Sequence, residues 1–235
     1  MPSQADVERY AQANRDIRTL AVADLAAFYA TLQGLSADET RDALLDVVPL
    51  LVATYGETAA AVAADFYDDL REAAGVRGRF TATLADPVDL ETIASRVRWS
   101  VSPLYSADPD RAATLGRLEQ HVDELSLRPG RETIAVSSGR DPAKARWARV
   151  PVGETCAFCL VTASRGAVYR SEESAGRKYH GKCDCTPTPF WQGQPYPEGY
   201  DPDALYEQYN AARAAAGSGR LKPVLAELRE STGSH

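Results

Sequence analysis

The chain has 235 residues, of which 44% are hydrophobic and 25% charged, with a formal net charge of −7. Such a chain can bury a sizeable core as one large domain or two small ones, and its acidic balance argues against a dedicated nucleic-acid binder, whose phosphate contacts need surplus Lys and Arg. The start, Met-Pro-Ser-Gln-Ala-Asp, lacks the apolar core of a signal peptide. The longest apolar stretch, around Val47–Ala53, contains Pro49 and falls well short of a bilayer span, so the expectation is a soluble protein made in the cytoplasm with no membrane partner.

The first half reads as helices. Between Val7 and Leu32, Tyr10, Ile17, Leu20, Leu25 and Phe28 recur at broadly helical spacing. Ser36 and Glu39 form a capping box that opens a helix through Leu44, Val48 and Leu51, with Pro49 expected to kink or split it. A separate helix is expected over Glu57–Ala74, where small alanines would let a neighbour approach closely, and Gly75 and Gly78 supply a stop. Asp86-Pro87 signals another helix to residue 99 with Leu90, Ile93 and Val97 inward, and Asp108-Pro109 repeats that signal for a helix towards Leu125. Thr133–Val136 and Arg149–Val152 read as short strands, while Arg128-Pro-Gly130 and Ser137-Ser-Gly139 read as loops. Helices are expected again over Pro202–Ala216 and Lys222–Arg229.

Charge divides unevenly along the chain. Residues 1–126 carry a net −10 and residues 127–235 a net +3, with the basic excess concentrated between Arg128 and Lys182. That positive stretch could meet DNA, an acidic protein surface, or the chain's own acidic half.

All four cysteines lie in or just after this stretch, as Cys156-Ala-Phe-Cys159 and, twenty residues on, His180-Gly-Lys-Cys183-Asp-Cys185. A C-x2-C pair followed by H-x2-C has the spacing of two half-sites that together close an N/S tetrahedron around one structural zinc ion per chain. With five candidates for four places, Cys156, Cys159, His180, Cys183 and Cys185, either Cys183 or Cys185 is spare. Two disulfides, redox-labile thiols, or a Cys nucleophile with His180 as base are the alternatives. The surrounding segment, poor in aliphatic side chains, is one that metal ligation would help to fold. Tyr169, Tyr179, Phe190 and Trp191 are expected to cap this module as a small apolar cluster, and Arg165 to pair with Glu154 or Glu172.

The residues Arg146-Trp-Ala-Arg-Val-Pro151, the Cys156/Cys159 pair, Ala163-Ser-Arg-Gly-Ala-Val-Tyr169 and Tyr179-His-Gly-Lys-Cys-Asp-Cys185 resemble the minor head proteins of tailed bacteriophages. They look like the Mu F-like head morphogenesis proteins and the related VG15-type minor capsid proteins; the run from Tyr55 to Arg71 resembles their helical part. The resemblance implies a virion or procapsid component made in the host cytoplasm, with portal, major capsid and scaffolding proteins as partners and possible contact with packaged DNA. Relatives carry the label of capsid maturation protease, but this chain has no G-x-S-x-G, and His121 and His235 offer little for a triad, so no catalytic residues are assigned. The expected fold class is mainly α: a helical N-terminal body with a small loop-rich, zinc-stabilised α+β C-terminal module. The expected divisions are an acidic helical domain over 1–126, a Cys/His zinc-binding module over 127–195 and a C-terminal helical tail over 196–235.

Overall fold

A computed structural model describes residues 3–153, 155–171 and 185–234. Its elements run α1 (Gln4–Thr31), α2 (Ala37–Ala73), α3 (Leu90–Ser100), a 3-10 turn (Ser102–Tyr105), α4 (Arg111–Arg140), β1 (Arg146–Val150), α5 (Ala157–Ala163), β2 (Thr186–Phe190), α6 (Pro202–Ala215) and α7 (Leu221–Thr232). The protein is mainly helical, as expected, and the described residues hold one small two-stranded antiparallel sheet.

Local chemistry explains where several helices begin. Ser3 and Asp6 cap α1 reciprocally, and Ser36 and Glu39 do the same for α2. Asp89 accepts from the Thr92 amide at 2.8 Å and Asp110 from the Ala113 amide at 2.8 Å, so α3 and α4 start a few residues later than the Asp-Pro signals at Asp86 and Asp108 suggested.

The larger correction concerns helix breakers. α2 runs unbroken through Pro49 and Gly56, and α4 runs unbroken through Pro129, Gly130 and Gly139. The strand expected at Thr133–Val136 and the loops expected at residues 128–130 and 137–139 are all helix. Packing supplies the reason. α2 and α4 lie side by side in the same direction, and a Cβ on Gly56 would stand 3.1 Å from the Pro129 ring. A Cβ on Gly130 would stand 2.7 Å from the Ala59 carbonyl oxygen. The small residues are there to let two backbones approach, and the contact outweighs their poor helix propensity. The division expected after residue 126 thus coincides with the middle of a continuous helix.

Thr133 and Ser137 use their hydroxyls in a similar way. The non-helical stretch before α3 crosses α2 and α4, and its amides are met by side chains: Ala82 by Asp68, Thr83 by Ser137 and Ala85 by Thr133, all within 3.0 Å. α2 is also long and apolar enough to cross a bilayer by length and composition, with a mean hydropathy of 1.5 over 18 residues. Its residues Leu44, Val48, Val52, Ala59, Ala63 and Tyr67 are buried in the protein's own core, and 33% of that apolar stretch is buried in all.

The core has two main parts. One, at the α1–α2 turn, gathers Leu25, Leu44, Val48, Ile93, Val97, Leu118 and Val122 from four helices. The other joins Tyr10, Phe66, Tyr67 and Ile134 of α1, α2 and α4 to Trp147 and Val150 of β1 and to Tyr169, Phe190 and Trp191. Tyr169, Phe190 and Trp191 therefore belong to the helical body's core, not to a separate cap over the cysteines; Tyr179 lies outside the described residues.

Asp141, the C-cap of α4, is the hinge of this second core. Its carboxylate accepts from Arg71 Nε at 3.0 Å, Tyr67 Oη at 3.0 Å, Trp191 Nε1 at 3.0 Å and the Ala143 amide at 2.9 Å. Its side chain is fully buried and that of Arg71 nearly so. Burial pushes the carboxyl pKa up, but the donors from Arg71, Ala143, Trp191 and Tyr67 outweigh it and hold the group below the usual value.

Two outcomes are expected from equilibrium urea unfolding. Gly130→Ala should lose about 1–3 kcal/mol through overpacking against α2, whereas Gly116→Ala, on the same helix with open space around its Cβ position, should gain about 0.5–1 kcal/mol. Because the folded pKa of Asp141 is depressed, its contribution is present above the unfolded value of about 3.9 and fades as pH falls through the lower folded value. Asp141→Asn should therefore cost about 3–5 kcal/mol at pH 7, by leaving Arg71 buried without its counter-charge, with a smaller deficit at pH 3.

Candidate metal centre

β1 and β2 present the cysteine-bearing segments. The register pairs Arg146 with Phe190, Trp147 with Pro189, Ala148 with Thr188, Arg149 with Pro187 and Val150 with Thr186. Trp147 turns its backbone N–H and C=O away from β2, to exchange hydrogen bonds with Tyr169 at 3.1 and 3.2 Å. Pro187 and Pro189 thus face the positions where β1 offers no ladder bond, so a Thr-Pro-Thr-Pro strand pairs without losing a donor.

After β1 the chain turns at Gly153, whose φ of 75° lies in the left-handed region, and enters α5 with Cys156 as the N-cap residue. Cys159 follows in the first turn of that helix, and Cys185 stands immediately before β2. Cys159 Sγ and Cys185 Sγ are 3.0 Å apart, beyond the roughly 2.05 Å of a disulfide bond. Cys156, Cys159 and Cys185 are all buried and form one cluster, with Phe158 packed against it.

Soft thiols in a shielded cluster suit zinc, and thiolates about 2.3 Å from a tetrahedral zinc lie roughly 3.8 Å from one another, a modest opening of the 3.0 Å pair. Among the described residues no three His, Cys, Asp or Glu side chains converge as a metal-binding group. Two of the expected ligands, His180 and Cys183, lie outside the described residues, as do Glu154 and Glu172. Of the described thiols, Cys159 and Cys185 stand close enough to form one edge of such a centre.

The far end of α5 is anchored by tyrosines. Tyr169 Oη donates to the Thr162 carbonyl at 2.7 Å and Tyr200 Oη to the Ala163 carbonyl at 2.6 Å, which satisfies helix-end acceptors. Burial pushes both phenol pKa values up. The Arg165 guanidinium lies 5.8 Å from the centre of the Tyr169 ring. α6 and α7 complete the support, with Ala212, Val224 and Leu228 packed on Ala157.

Two features of the site were not read from the sequence. Arg149 is fully buried, its Nη1 3.9 Å from Cys185 Sγ and its guanidinium 5.8 Å from the centre of the Phe158 ring. An arginine alternating with Trp147 on a short strand was the available signal, masked because the basic stretch reads as a solvated surface. Arg131 is also buried, while Arg128 stays partly exposed and pairs with Glu132 at 2.6 Å. His121 sits at the core edge on α4, its ring 5.4 Å from that of Trp99, with its pKa lowered by burial and by Arg96.

A long-helix body with a cysteine-clustered ribbon at one end is thus the framework of the chain. Residues 1–212 match the family model described as VG15 protein, and the chain belongs to the VG15 family. It is similar to the Gene 15 protein of Mycobacterium phage D29, at 33% identity over 138 residues, which is 57% of this chain. The chain spans about half the length of that relative, 50% by the matched region. No solved structure matches it.

The tyrosine anchor gives a direct test. Tyr200→Phe should destabilise the protein by about 1 kcal/mol, the usual net value of one buried hydrogen bond, and a melting temperature unchanged from wild type would show that Ala163 needs no such donor.

Proposed function

We propose that the protein is a minor component of a phage head, acting during head assembly at the portal or the inner capsid surface, with its ribbon held by one structural zinc ion. The observation that carries the head assignment is the family match across residues 1–212, joined by a phage-encoded relative. A narrower kinship with Mu F-like head proteins rests on the motif resemblance alone. The zinc reading is supported by the burial of Cys156, Cys159 and Cys185 together.

In this reading Cys156, Cys159 and Cys185 hold the ion with His180, and the 3.0 Å approach of Cys185 to Cys159 favours Cys185 over Cys183 as the fourth ligand. When bound, zinc supplies a closed cross-link of the kind that leaves no open position for a reacting group. The chain's own residues join the start of α5 to the start of β2, two segments that the intervening residues bring together only at the cost of closing a loop. The role is therefore interaction, with the clasped ribbon and the acidic helical body as surfaces for head proteins. Contact with packaged DNA is the second reading; burial of Arg131 and Arg149 removes part of the charge it would draw on.

Quantitative mass spectrometry of purified particles and procapsids from the phage or prophage that encodes the chain tests the head assignment. The protein should be present at low copy and cross-link to portal or major capsid protein; its absence from both kinds of particle would overturn the assignment. Metal analysis of the purified full chain should find one zinc, and chelation should lower its melting temperature sharply. A metal-free chain with a stable fold would remove the zinc.

A further inference from the structure

α1 and α2 are antiparallel: Leu25 packs in one core with Val48 near the turn that joins them, and Tyr10 meets Phe66 towards their far ends. Between those far ends lies a groove of about 620 Å³. Its floor is apolar, lined by Val62, Phe66 and Leu70 of α2 and by Tyr10 of α1, whose ring stacks on that of Phe66 at a centroid distance of 4.3 Å. Its α2 wall is acidic. Asp65, Asp69 and Glu72 stand at i, i+4 and i+7, one stripe of the helix, and all three are exposed. None of the three makes an ion pair or a side-chain hydrogen bond among the described residues. Across the groove, Arg9 pairs with Asp6 of its own helix instead of with this stripe.

Like charges at i, i+4 destabilise a helix, so the stripe carries a cost that an oppositely charged partner offsets. The repulsion is felt within α2 itself. Burial raises the carboxyl pKa of Asp68 and the charges of Asp65 and Asp69 add to the rise, against the Ala82 amide and Arg71, which lower it. The acidic wall would repel a phosphate-bearing ligand or an anionic membrane, and among the described residues no carboxylates converge as a cation site. An apolar floor beside an unpaired acidic stripe matches instead the two faces of an amphipathic helix, whose apolar stripe fills a groove between helices while its basic residues meet carboxylates at helical spacing. We propose that this groove is a docking site for an amphipathic basic helix of another protein, its apolar stripe over Val62 and Phe66 and its Lys or Arg side chains facing Asp65, Asp69 and Glu72. From Asp65 to Glu72 the stripe covers roughly 10 Å of helix axis, about two turns of such a partner. The proposal stands on the groove alone and needs neither the metal nor the head assignment, which separate measurements test.

The test is fluorescence anisotropy on the full chain with a labelled synthetic peptide of about twenty residues, Leu along one helical face and Lys beside it, against a scrambled peptide of identical composition. The helical peptide should bind about tenfold more tightly than the scrambled one, and its affinity should fall as salt rises. The triple variant Asp65→Asn, Asp69→Asn, Glu72→Gln changes only exposed side chains, so circular dichroism should show the wild-type helix content while peptide affinity drops about tenfold. Ala13→Lys, which reaches into the groove from α1 with a flexible positive chain, should weaken binding as well by occupying the acidic wall from within. No binding of the helical peptide, equal affinity for the two peptides, or equal affinity of wild type and triple variant would overturn the proposal. Self-association of the free chain in sedimentation, abolished by the same triple variant, would assign the groove to a second copy and overturn it too.

Discussion

The carboxylate of Asp141 sits where three parts of the chain must meet. Arg71 and Tyr67 come from α2, Asp141 itself ends α4, and Trp191 follows directly on β2. A buried ion pair of this kind contributes little net stability compared with an apolar replacement, because desolvation offsets most of the attraction. What it does impose is geometry: the donors around one carboxylate are satisfied together only when the ribbon is seated at one place on the helices. The β1–β2 ribbon inherits its position from that constraint, and with it the cysteines at its ends.

This changes how the C-terminal half should be understood. A loop-rich segment with few aliphatic side chains suggests a module that needs a metal to fold at all. In the structure its aromatic residues insert into the core of the long helices, so Trp147, Phe190 and Trp191 already tie β1 and the end of β2 to the body. The thiol cluster forms a separate small group, where the starts of α5 and β2 meet. A metal there would stabilise the ribbon's outer end locally instead of organising the whole module. The same logic accounts for the tyrosines, whose hydroxyls hold the last carbonyls of α5 from two separate segments.

Membership of the VG15 family and likeness to a phage protein set the biological frame. The chain offers long, capped helices and a short ribbon whose β2 carries prolines at Pro187 and Pro189. Prolines at those places leave the side of β2 that faces away from β1 with fewer donors to satisfy.

The sequence by itself determined the features that depend on near neighbours. Ser36 and Glu39 announce the start of α2, the stripe from Tyr10 to Leu25 announces α1, and the cysteine spacing marks the thiol site. Each of these is settled within one or two turns of chain. The tertiary structure alone decided the continuity of α2 and α4 through Gly56, Pro129 and Gly130, because the packing that favours a glycine or proline there comes from a helix some seventy positions away. It alone decided that Arg149 is an interior residue beside Cys185 while Arg165 stays exposed. Both are arginines in the same basic stretch, and only the register of β1 on β2 tells them apart. Local propensity is a preference of a few tenths to about one kilocalorie per residue for most side chains, and long-range burial overrides it wherever the two disagree.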